Sequence, residues 1–284
     1  MPDLERRLAP SGHLARLEES RSRPGSWTLY VDGTPQSHVD LEQPEWLGFE
    51  YVRRIGHAID LVRPEREAIT ALHLGGGAFT LPRYVIATRP GSRQQVVELE
   101  SDLVDLVRTN LPLPRGAQVR VRHGDAREVL AKLPAGLDGA VDLAVVDIFS
   151  GARTPAHVTS TEFHALVSPR LAPGGIVAVN VADGAGLAFA RSQAATLGRV
   201  YEHVAIAADT SMLKGRRFGN VVMYASHDPL PFESMPRRLA SDPAPAKLVE
   251  GDELVRFVAG APVVTDATAV PSPPPSRSVF LAKP

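Results

Sequence analysis

The stretch LHLGGGAFTLPRYV, residues 72–85, carries three consecutive glycines directly after a short apolar run. The apolar run predicts a buried strand, and the residues after the glycines predict a loop that leads into a helix. Glycine adopts positive φ and lets the backbone approach a ligand closely. The stretch therefore predicts a binding loop at the carboxyl end of a strand, although a GGG run alone would equally suit a tight turn.

The rest of the chain alternates strand-like and helix-like segments from residue 68 onward. Helical patterns separate the predicted strands, which gives a doubly wound, mostly parallel sheet with helices on both faces. The predicted strands are AITALHLG, QQVVELE, AQVRVRHGD, VDLAVVDIF, IVAVNVA, YEHVAIAA and NVVMYAS. In such a sheet, ligands bind beyond the carboxyl ends of the strands, near the point where the winding reverses.

The residues before this sheet carry a hairpin signal. SWTLYVDGTPQSHVDL alternates apolar and polar residues on both sides of Asp32-Gly33, a pair that favours a tight hairpin turn. EWLGFEYVRRIGHAIDLV follows with helical spacing of its apolar residues. The predicted organisation is a loosely held, partly helical arm (1–25), a small β-hairpin and helix unit (26–62), a main domain (63–265) and a proline-rich tail on the surface (266–284).

Composition excludes several classes of function. The net charge is −1, so binding to nucleic acid or to an anionic membrane is not expected. The chain has no cysteine, which removes disulfides and thiolate metal sites. No run approaches the roughly 18 apolar residues of a membrane span, and the first residues lack the apolar core of a signal peptide. We expect a cytoplasmic protein without a metal site.

Two acidic residues add to the glycine loop. Glu98 ends the second strand, about twenty residues past the glycines, where a carboxylate can accept hydrogen bonds from both hydroxyls of a ribose. Asp125 ends the third strand, where it could reach an adenine amino group. The alternatives are a solvated acid at 98 and a helix N-cap at 125. The loop is not G-x-G-x-x-G and lacks G-K-[ST], which favours S-adenosylmethionine over a nicotinamide or a nucleoside triphosphate.

The order of these motifs resembles the spermidine synthase family, the aminopropyltransferase branch of the class I methyltransferase-like fold. The resemblance covers residues 27–226 and includes LYVDGTPQSHVD, LHLGGGAF, VVELE, HGDA, VVDIFSG, LAPGGIVAVN and GNVVMYAS. It implies a Rossmann-like α/β fold of the class I methyltransferase type with a small N-terminal β-hairpin unit. It also implies a homodimer.

The resemblance implies roles for individual residues. Gln36 would contact the methionine part of the cofactor, Glu98 the ribose, and Asp125 with Ala126 the adenine. Asp147 would face the reacting centre, where it is the candidate catalytic residue. The full set of expected cofactor contacts is Gln36, Gly75, Gly76, Gly77, Ala78, Glu98, Leu99, Asp125, Ala126, Asp147 and Ile148.

The chain departs from the family pattern at the acids that hold an amine. Family members resemble GGGDG in the first loop, where this chain has Ala78, and DSSDP after the fourth strand, where it has DIFSG with Ser150 in place of the second acid. A tyrosine-glutamine pair after the hairpin is replaced by Gly48-Phe49. Each ammonium of a diamine needs an anionic partner when it leaves water. The acceptor pocket is therefore predicted to be more apolar and less anionic than a polyamine site.

Ala78 bears on the choice of cofactor. An aspartate there would repel the carboxylate of intact S-adenosylmethionine, whereas alanine leaves the N–H groups of the glycine loop free to bind it. Ala78→Asp is accordingly expected to reverse the preference between intact and decarboxylated cofactor. The predicted function is methyl transfer from S-adenosylmethionine to a small, fairly apolar acceptor.

Two alternatives stay open. One is an aminopropyltransferase that uses decarboxylated S-adenosylmethionine, with Glu50, Asp147 and Asp183 as its remaining acids. The other is a degenerate protein that binds the nucleoside without catalysis. His73 is predicted to be a packed core histidine, and His157 an ordinary loop residue.

Overall fold

The computed structural model describes residues 4–274. Its first part is a four-stranded antiparallel sheet in the order β1-β2-β3-β4. The strands are β1 (Glu5–Arg7), β2 (Leu14–Glu19), β3 (Ser26–Val31) and β4 (Thr34–Asp40). The predicted hairpin is present as β3 and β4, and it turns at Asp32 and Gly33, both with positive φ.

The partly helical arm predicted for residues 1–25 is wrong within the described part of the chain. Residues 5–19 form β1 and β2, which extend the hairpin into a sheet. The physical reason is an alternation that the prediction overlooked. Ala15 and Leu17 of β2 are buried in one core cluster with Leu29 of β3, whereas Leu14 and Glu18 on either side of them are exposed.

The second part is an eight-stranded sheet in the order β12-β10-β11-β9-β8-β5-β6-β7. Neighbours among β5 to β9 pair in parallel, whereas the pairs β9–β11, β11–β10 and β10–β12 are antiparallel. The strands are β5 (Thr70–Leu74), β6 (Arg93–Glu98), β7 (Val119–His123), β8 (Val141–Val146), β9 (Leu171–Asp183), β10 (His203–Ala208), β11 (Gly219–Ser226) and β12 (Lys247–Val249). This is the predicted Rossmann-like α/β fold, with its winding reversal between β5 and β8.

Helices cover both faces of this sheet. They are α1 (Glu50–Leu61), α2 (Thr80–Thr88), α3 (Ser101–Asn110), α4 (Ala126–Leu130), α5 (Thr161–Val167), α6 (Ala188–Val200), α7 (Thr210–Leu213), α8 (Met235–Ser241) and α9 (Gly251–Val258), with short 3-10 turns at Ala135–Leu137, Ala156–Val158 and Ser168–Arg170. One face packs against α1, α2 and α8, and the other against α4, α5 and α6. A third cluster joins the N-terminal sheet to α3 and β6.

The sequence did not predict β12, α8 or α9. Several prolines between residues 228 and 246 hid a helix, because proline usually ends one. In α8 the proline lies in the first turn, where its missing N–H breaks no helical hydrogen bond.

The described part of the predicted surface tail, residues 266–274, lies mostly on the surface and departs from the prediction at Ser272. Residues 261–274 carry no regular secondary structure, yet Ser272 is fully buried at 0% exposure. The part of the predicted tail from 275 to 284 lies outside the described residues. No helix between residues 4 and 274 is long and apolar enough to cross a membrane.

Candidate functional site

A cleft opens at the carboxyl ends of β5 and β8, and the glycine loop forms its floor. Gly75 has a φ of 98° and lies so close to β8 that a Cβ would overlap the carbonyl oxygen of Asp147. A Cβ on Gly77, whose φ is 49°, would overlap Ser37 Oγ. These two positions require glycine because of both backbone conformation and close approach.

Glu98 lies beside this loop and is bonded to it. Its Oε2 accepts hydrogen bonds from the N–H groups of Gly76 at 2.8 Å and Gly77 at 3.4 Å, and its Oε1 accepts from the N–H of Glu100 at 3.1 Å. A carboxylate offers about four acceptor positions. A ribose at Glu98 would therefore find one position free and would have to share or displace the long bond from Gly77 to place its second hydroxyl.

Ala78 does not line the cleft. Its side chain is 1% exposed and lies with Leu17, Leu29 and Phe79 in the cluster between the two sheets, and its N–H donates to Ser37 Oγ at 3.2 Å. The prediction that Ala78 faces the cofactor and leaves the N–H groups of the loop free to bind its carboxylate is thus wrong. The methyl group fills the core, and the N–H groups of the loop already have acceptors within the chain.

Asp125 and His157 occupy one end of the cleft with Ala126 and Leu99. Asp125 Oδ1 caps α4 by accepting from the N–H groups of residues 127 and 128, and its Oδ2 lies 2.7 Å from His157 Nε2. The N-cap alternative for Asp125 is therefore correct. Leu99 is 47% exposed and offers an apolar surface that a flat ring could cover.

Residues near the N-terminus close the same end of the cleft. Leu8, Ser11 and His13, from the turn between β1 and β2, are among its lining residues. Ser11 N–H donates to Glu100 Oε1 at 3.3 Å, which ties this turn to the segment after β6. No local pattern in residues 8–13 predicts this contribution, which depends on the pairing of β1 with β2.

Asp147 lies at the other end, at the end of β8. Its Oδ1 accepts from Asn180 Nδ2 at 2.8 Å, and Asn180 Oδ1 in turn accepts from Asn220 Nδ2 at 2.9 Å. The Tyr51 hydroxyl lies near Asp147 and donates to Gln36 O at 3.5 Å. Burial raises the pKa of the Asp147 carboxyl, and the polar hydrogens of Asn180 and Tyr51 oppose part of that rise. Burial and the nearby Asp147 charge raise the pKa of Tyr51 well above its usual value.

Sequence reasoning missed Tyr51, Asn180 and Asn220. A usable signal existed for Asn180, since it is the polar residue inside the apolar run IVAVNVA, and a buried amide needs partners. Asn220 carries the same signal at the start of NVVMYA.

Other predicted residues lie away from the cleft. Glu50 pairs with Arg54 at 3.4 Å and Arg217 at 3.3 Å, and Asp183 accepts from Ala190 N–H at 2.8 Å near the start of α6. Neither lines the cleft. Phe49 packs against Tyr51, with ring centroids 6.2 Å apart, and is likewise not among the lining residues.

His73 is buried, as predicted, below the glycine loop. Its Nε2 lies 2.9 Å from Gln94 Oε1, and burial lowers its pKa to about 4, so the ring is neutral at pH 7. Among residues 4–274, no three His, Asp or Glu side chains come together as metal ligands would.

The charges of the cleft divide between its two ends. Glu98, Glu100 and Asp125 lie at the end bordered by Leu99, and Asp147 is the carboxylate of the opposite end. Between residues 4 and 274, the other lining residues of that opposite end are neutral, and they include Gln36, Tyr51, Ile148 and Phe149. No Lys or Arg is among the lining residues in the described part of the chain.

Comparisons with known proteins place this architecture. Neither family models nor curated protein sequences gave a match. The structure matches a probable spermidine synthase from Corynebacterium glutamicum at 32% identity and a TM-score of 0.83, over 92% of this chain and 95% of that one. It also matches the spermidine synthase from Thermotoga maritima (13% identity, TM-score 0.57, 89% and 84% covered).

Methyltransferases are more distant in structure. Human methyltransferase-like protein 13 in complex with SAH matches at 19% identity and a TM-score of 0.51, over 74% of this chain and 88% of that one. The fold and the position of the cleft thus define a Rossmann-like protein of the class shared by methyltransferases and spermidine synthases. Within that class, the chain belongs to the spermidine synthase-like family.

Proposed function

We propose that the chain is an S-adenosylmethionine-dependent methyltransferase that acts on a small, fairly apolar acceptor with one proton to lose. The observation that carries this proposal is that, among the described residues, Asp147 is the single carboxylate lining the end of the cleft opposite Leu99, here called the acceptor end. A diamine would need a second anionic partner there, and Glu50 and Asp183 are engaged elsewhere.

Related structures support a cofactor of this type. The human methyltransferase-like protein was solved with SAH. A spermidine synthase, 84% of whose chain is covered by the match, was solved with the transition-state analogue AdoDATO. In this chain Leu99 and Ala126 would flank the adenine, Glu98 the ribose, and Gln36 the methionine end, all of them lining one cleft.

The bound cofactor would supply an electrophilic methyl carbon on a positively charged sulfur. Asp147 would take the acceptor's proton as the acceptor's lone pair forms the new bond to that carbon, while the electron pair of the broken carbon–sulfur bond stays on sulfur. A carboxylate whose pKa is raised by burial is a stronger base than an ordinary one. Asn180 holds its orientation through a hydrogen bond, and Tyr51 lies beside it.

Aminopropyl transfer from decarboxylated S-adenosylmethionine is the second candidate. The observation that favours it is the absence of Lys and Arg from the cleft lining in the described part of the chain, since a cofactor carboxylate usually pairs with a cation. The Ser37 hydroxyl lines the same region and is the neutral donor that intact cofactor would use, since Thr80 Oγ1 already donates to His38 O at 3.0 Å.

Calorimetric titration with the intact and the decarboxylated cofactor tests the proposal. We expect tighter binding of the intact form, followed by methylation of an acceptor from a panel of small phenols and heteroaromatic compounds. A clear preference for the decarboxylated form would overturn the methyltransferase proposal, and binding without any turnover would favour a nucleoside-binding protein.

We also propose that the chain forms a homodimer, on the family resemblance, and that it is located in the cytoplasm, on the composition of the sequence. The N-terminal sheet buries Leu29 against the chain's own α3, so the hairpin no longer requires a partner for its apolar side chains. Light scattering at micromolar concentration would settle the mass, and a monomer would refute the dimer.

A further inference from the structure

The wall of the cleft after β8 is a loop with little regular structure. It contributes Ile148, Phe149, Ser150, Gly151, Pro155 and His157 to the lining, and so extends from the end at Asp147 to the end at Asp125. Within the loop, Ser150 and Arg153 bond to each other through their backbones, and Ala156–Val158 forms a single 3-10 turn. From outside the loop, Gln36 Nε2 donates to Gly151 O at 3.1 Å. A loop with so few internal bonds needs support from outside to keep one conformation.

Support comes from residues 264–272, here called the C-terminal strap. Ser272 uses all its polar groups on the loop: its N–H donates to Thr154 O at 3.0 Å, its carbonyl oxygen accepts from Arg153 Nε at 2.6 Å, and its Oγ accepts from Thr154 N–H at 2.9 Å. Because Ser272 is buried, these bonds are shielded from water.

Asp266 supplies a second attachment. Its carboxylate accepts from both Nη atoms of Arg127 at 2.7 and 2.5 Å and from Ser160 Oγ at 2.6 Å. These bonds, led by the one from Arg127, lower the pKa of Asp266 to about 2. Arg127 Nη1 also donates to His157 O at 3.1 Å. Arg127 thereby connects Asp266 of the strap to His157, the last lining residue of the loop.

Val264 fixes the beginning of the strap to the main domain. Its carbonyl oxygen accepts from Thr161 N–H at 2.9 Å, and its N–H donates to Thr196 Oγ1 at 2.9 Å. The strap is thus bonded to α5 and α6 at one end and to the loop at the other. A segment without helix or strand keeps its place here through specific hydrogen bonds.

We infer that the C-terminal strap positions the cleft wall, and that ligand affinity depends on it although the strap itself does not line the cleft. Ser272 and Asp266 are positioning residues in this inference. The identity of the ligand used below rests on the proposed function. A ligand that needs an ordered wall binds in proportion to the fraction of molecules that have one.

Asp266→Ala in the full chain tests the inference. We expect faster amide hydrogen exchange across residues 148–158, and a Kd for S-adenosylmethionine raised about five- to tenfold if the ordered fraction falls to between a fifth and a tenth. Asp266→Asn keeps an oxygen acceptor but loses the charge, so its effect should be intermediate. Asp252→Ala is the matched control, since it removes the same charge from an exposed position in α9.

Ser272→Ala provides an independent variant should Asp266→Ala fail to fold. It removes the acceptor of the Thr154 amide, whose exchange should rise most, while the exposed Ser234→Ala should change nothing. Wild-type exchange at 148–158 in both strap variants, or faster exchange with an unchanged Kd, would overturn the inference. If the wild-type chain does not bind S-adenosylmethionine, the proposed function fails, and the exchange data alone decide whether the strap holds the wall.

Discussion

Asp147 and Asn180 face each other from the ends of neighbouring parallel strands, with Asn180 Nδ2 donating to Asp147 Oδ1 at 2.8 Å. Asn180 is held in turn by Asn220, so the orientation of the carboxylate is set by amide groups from two further strands. The charge on Asp147 is therefore stabilised by dipoles alone, without a cation among the bonds described for it. Burial dominates under those conditions and raises its pKa.

Asp147→Asn should stabilise the fold at neutral pH. A buried carboxyl with a raised pKa binds a proton more tightly in the folded state than in the unfolded chain, so its contribution to stability falls as the pH rises from about 3.9, the unfolded value, through the folded value. We expect a melting temperature about 2–4 °C above wild type at pH 7, the shift that corresponds to ~1 kcal/mol in a domain of about 200 residues. This gain in melting temperature should vanish well below pH 4, where the Asp147 carboxyl of the wild type is neutral in both the folded and the unfolded chain. Equal melting temperatures across the whole range would show that Asp147 ionises without cost.

Glu98→Ala should weaken S-adenosylmethionine by about 1.5–3 kcal/mol, the range for hydrogen bonds to a charged group. The loss has two sources, since Glu98 also fixes the N–H groups of Gly76 and Gly77. Titration calorimetry measures it, with the exposed Glu233→Ala as the matched control. Unchanged affinity in Glu98→Ala would place the ribose elsewhere.

Ala78→Asp should destabilise the protein and leave the choice of cofactor unchanged. The new carboxylate would be buried between the two sheets without a partner, at a cost of about 3–5 kcal/mol. Urea denaturation measures that cost, and Ala78→Ser is the milder comparison because its hydroxyl is uncharged. A variant with wild-type stability and a reversed cofactor preference would show that residue 78 reaches the cleft after all.

The parallel sheet, the hairpin and the cleft position could be predicted from the sequence because each has a local signal. Apolar runs mark β5 and β8, Asp32-Gly33 marks the turn, and consecutive glycines mark the loop. Whether a single side chain faces the cleft or the core has no such local signal. Ala78 follows the glycine loop in sequence, but Phe79 adopts a left-handed φ of 59° at the start of α2, and both side chains are buried in the core.

Contacts between distant parts of the chain were equally out of reach. Nothing in the sequence pairs Ser272 with Thr154, which are 118 residues apart, or brings Ser11 to Glu100. Both pairings depend on where the completed sheet places its loops. The strands themselves need no such information, since their apolar faces pack wherever a neighbouring strand is available.

Ser272 is translated after the last strand of the sheet, which has a consequence for the nascent chain. The ribosome synthesises β12, the final strand of the sheet, before the C-terminal strap, whose Ser272 bonds Thr154. The sheet can therefore assemble while residues 264–272 are still in the ribosome. Such a nascent protein would have its secondary structure in place and one side of its cleft still unsupported. Competence to bind a ligand would then arrive as a separate, later event than folding of the sheet, at the moment when Ser272 leaves the exit tunnel.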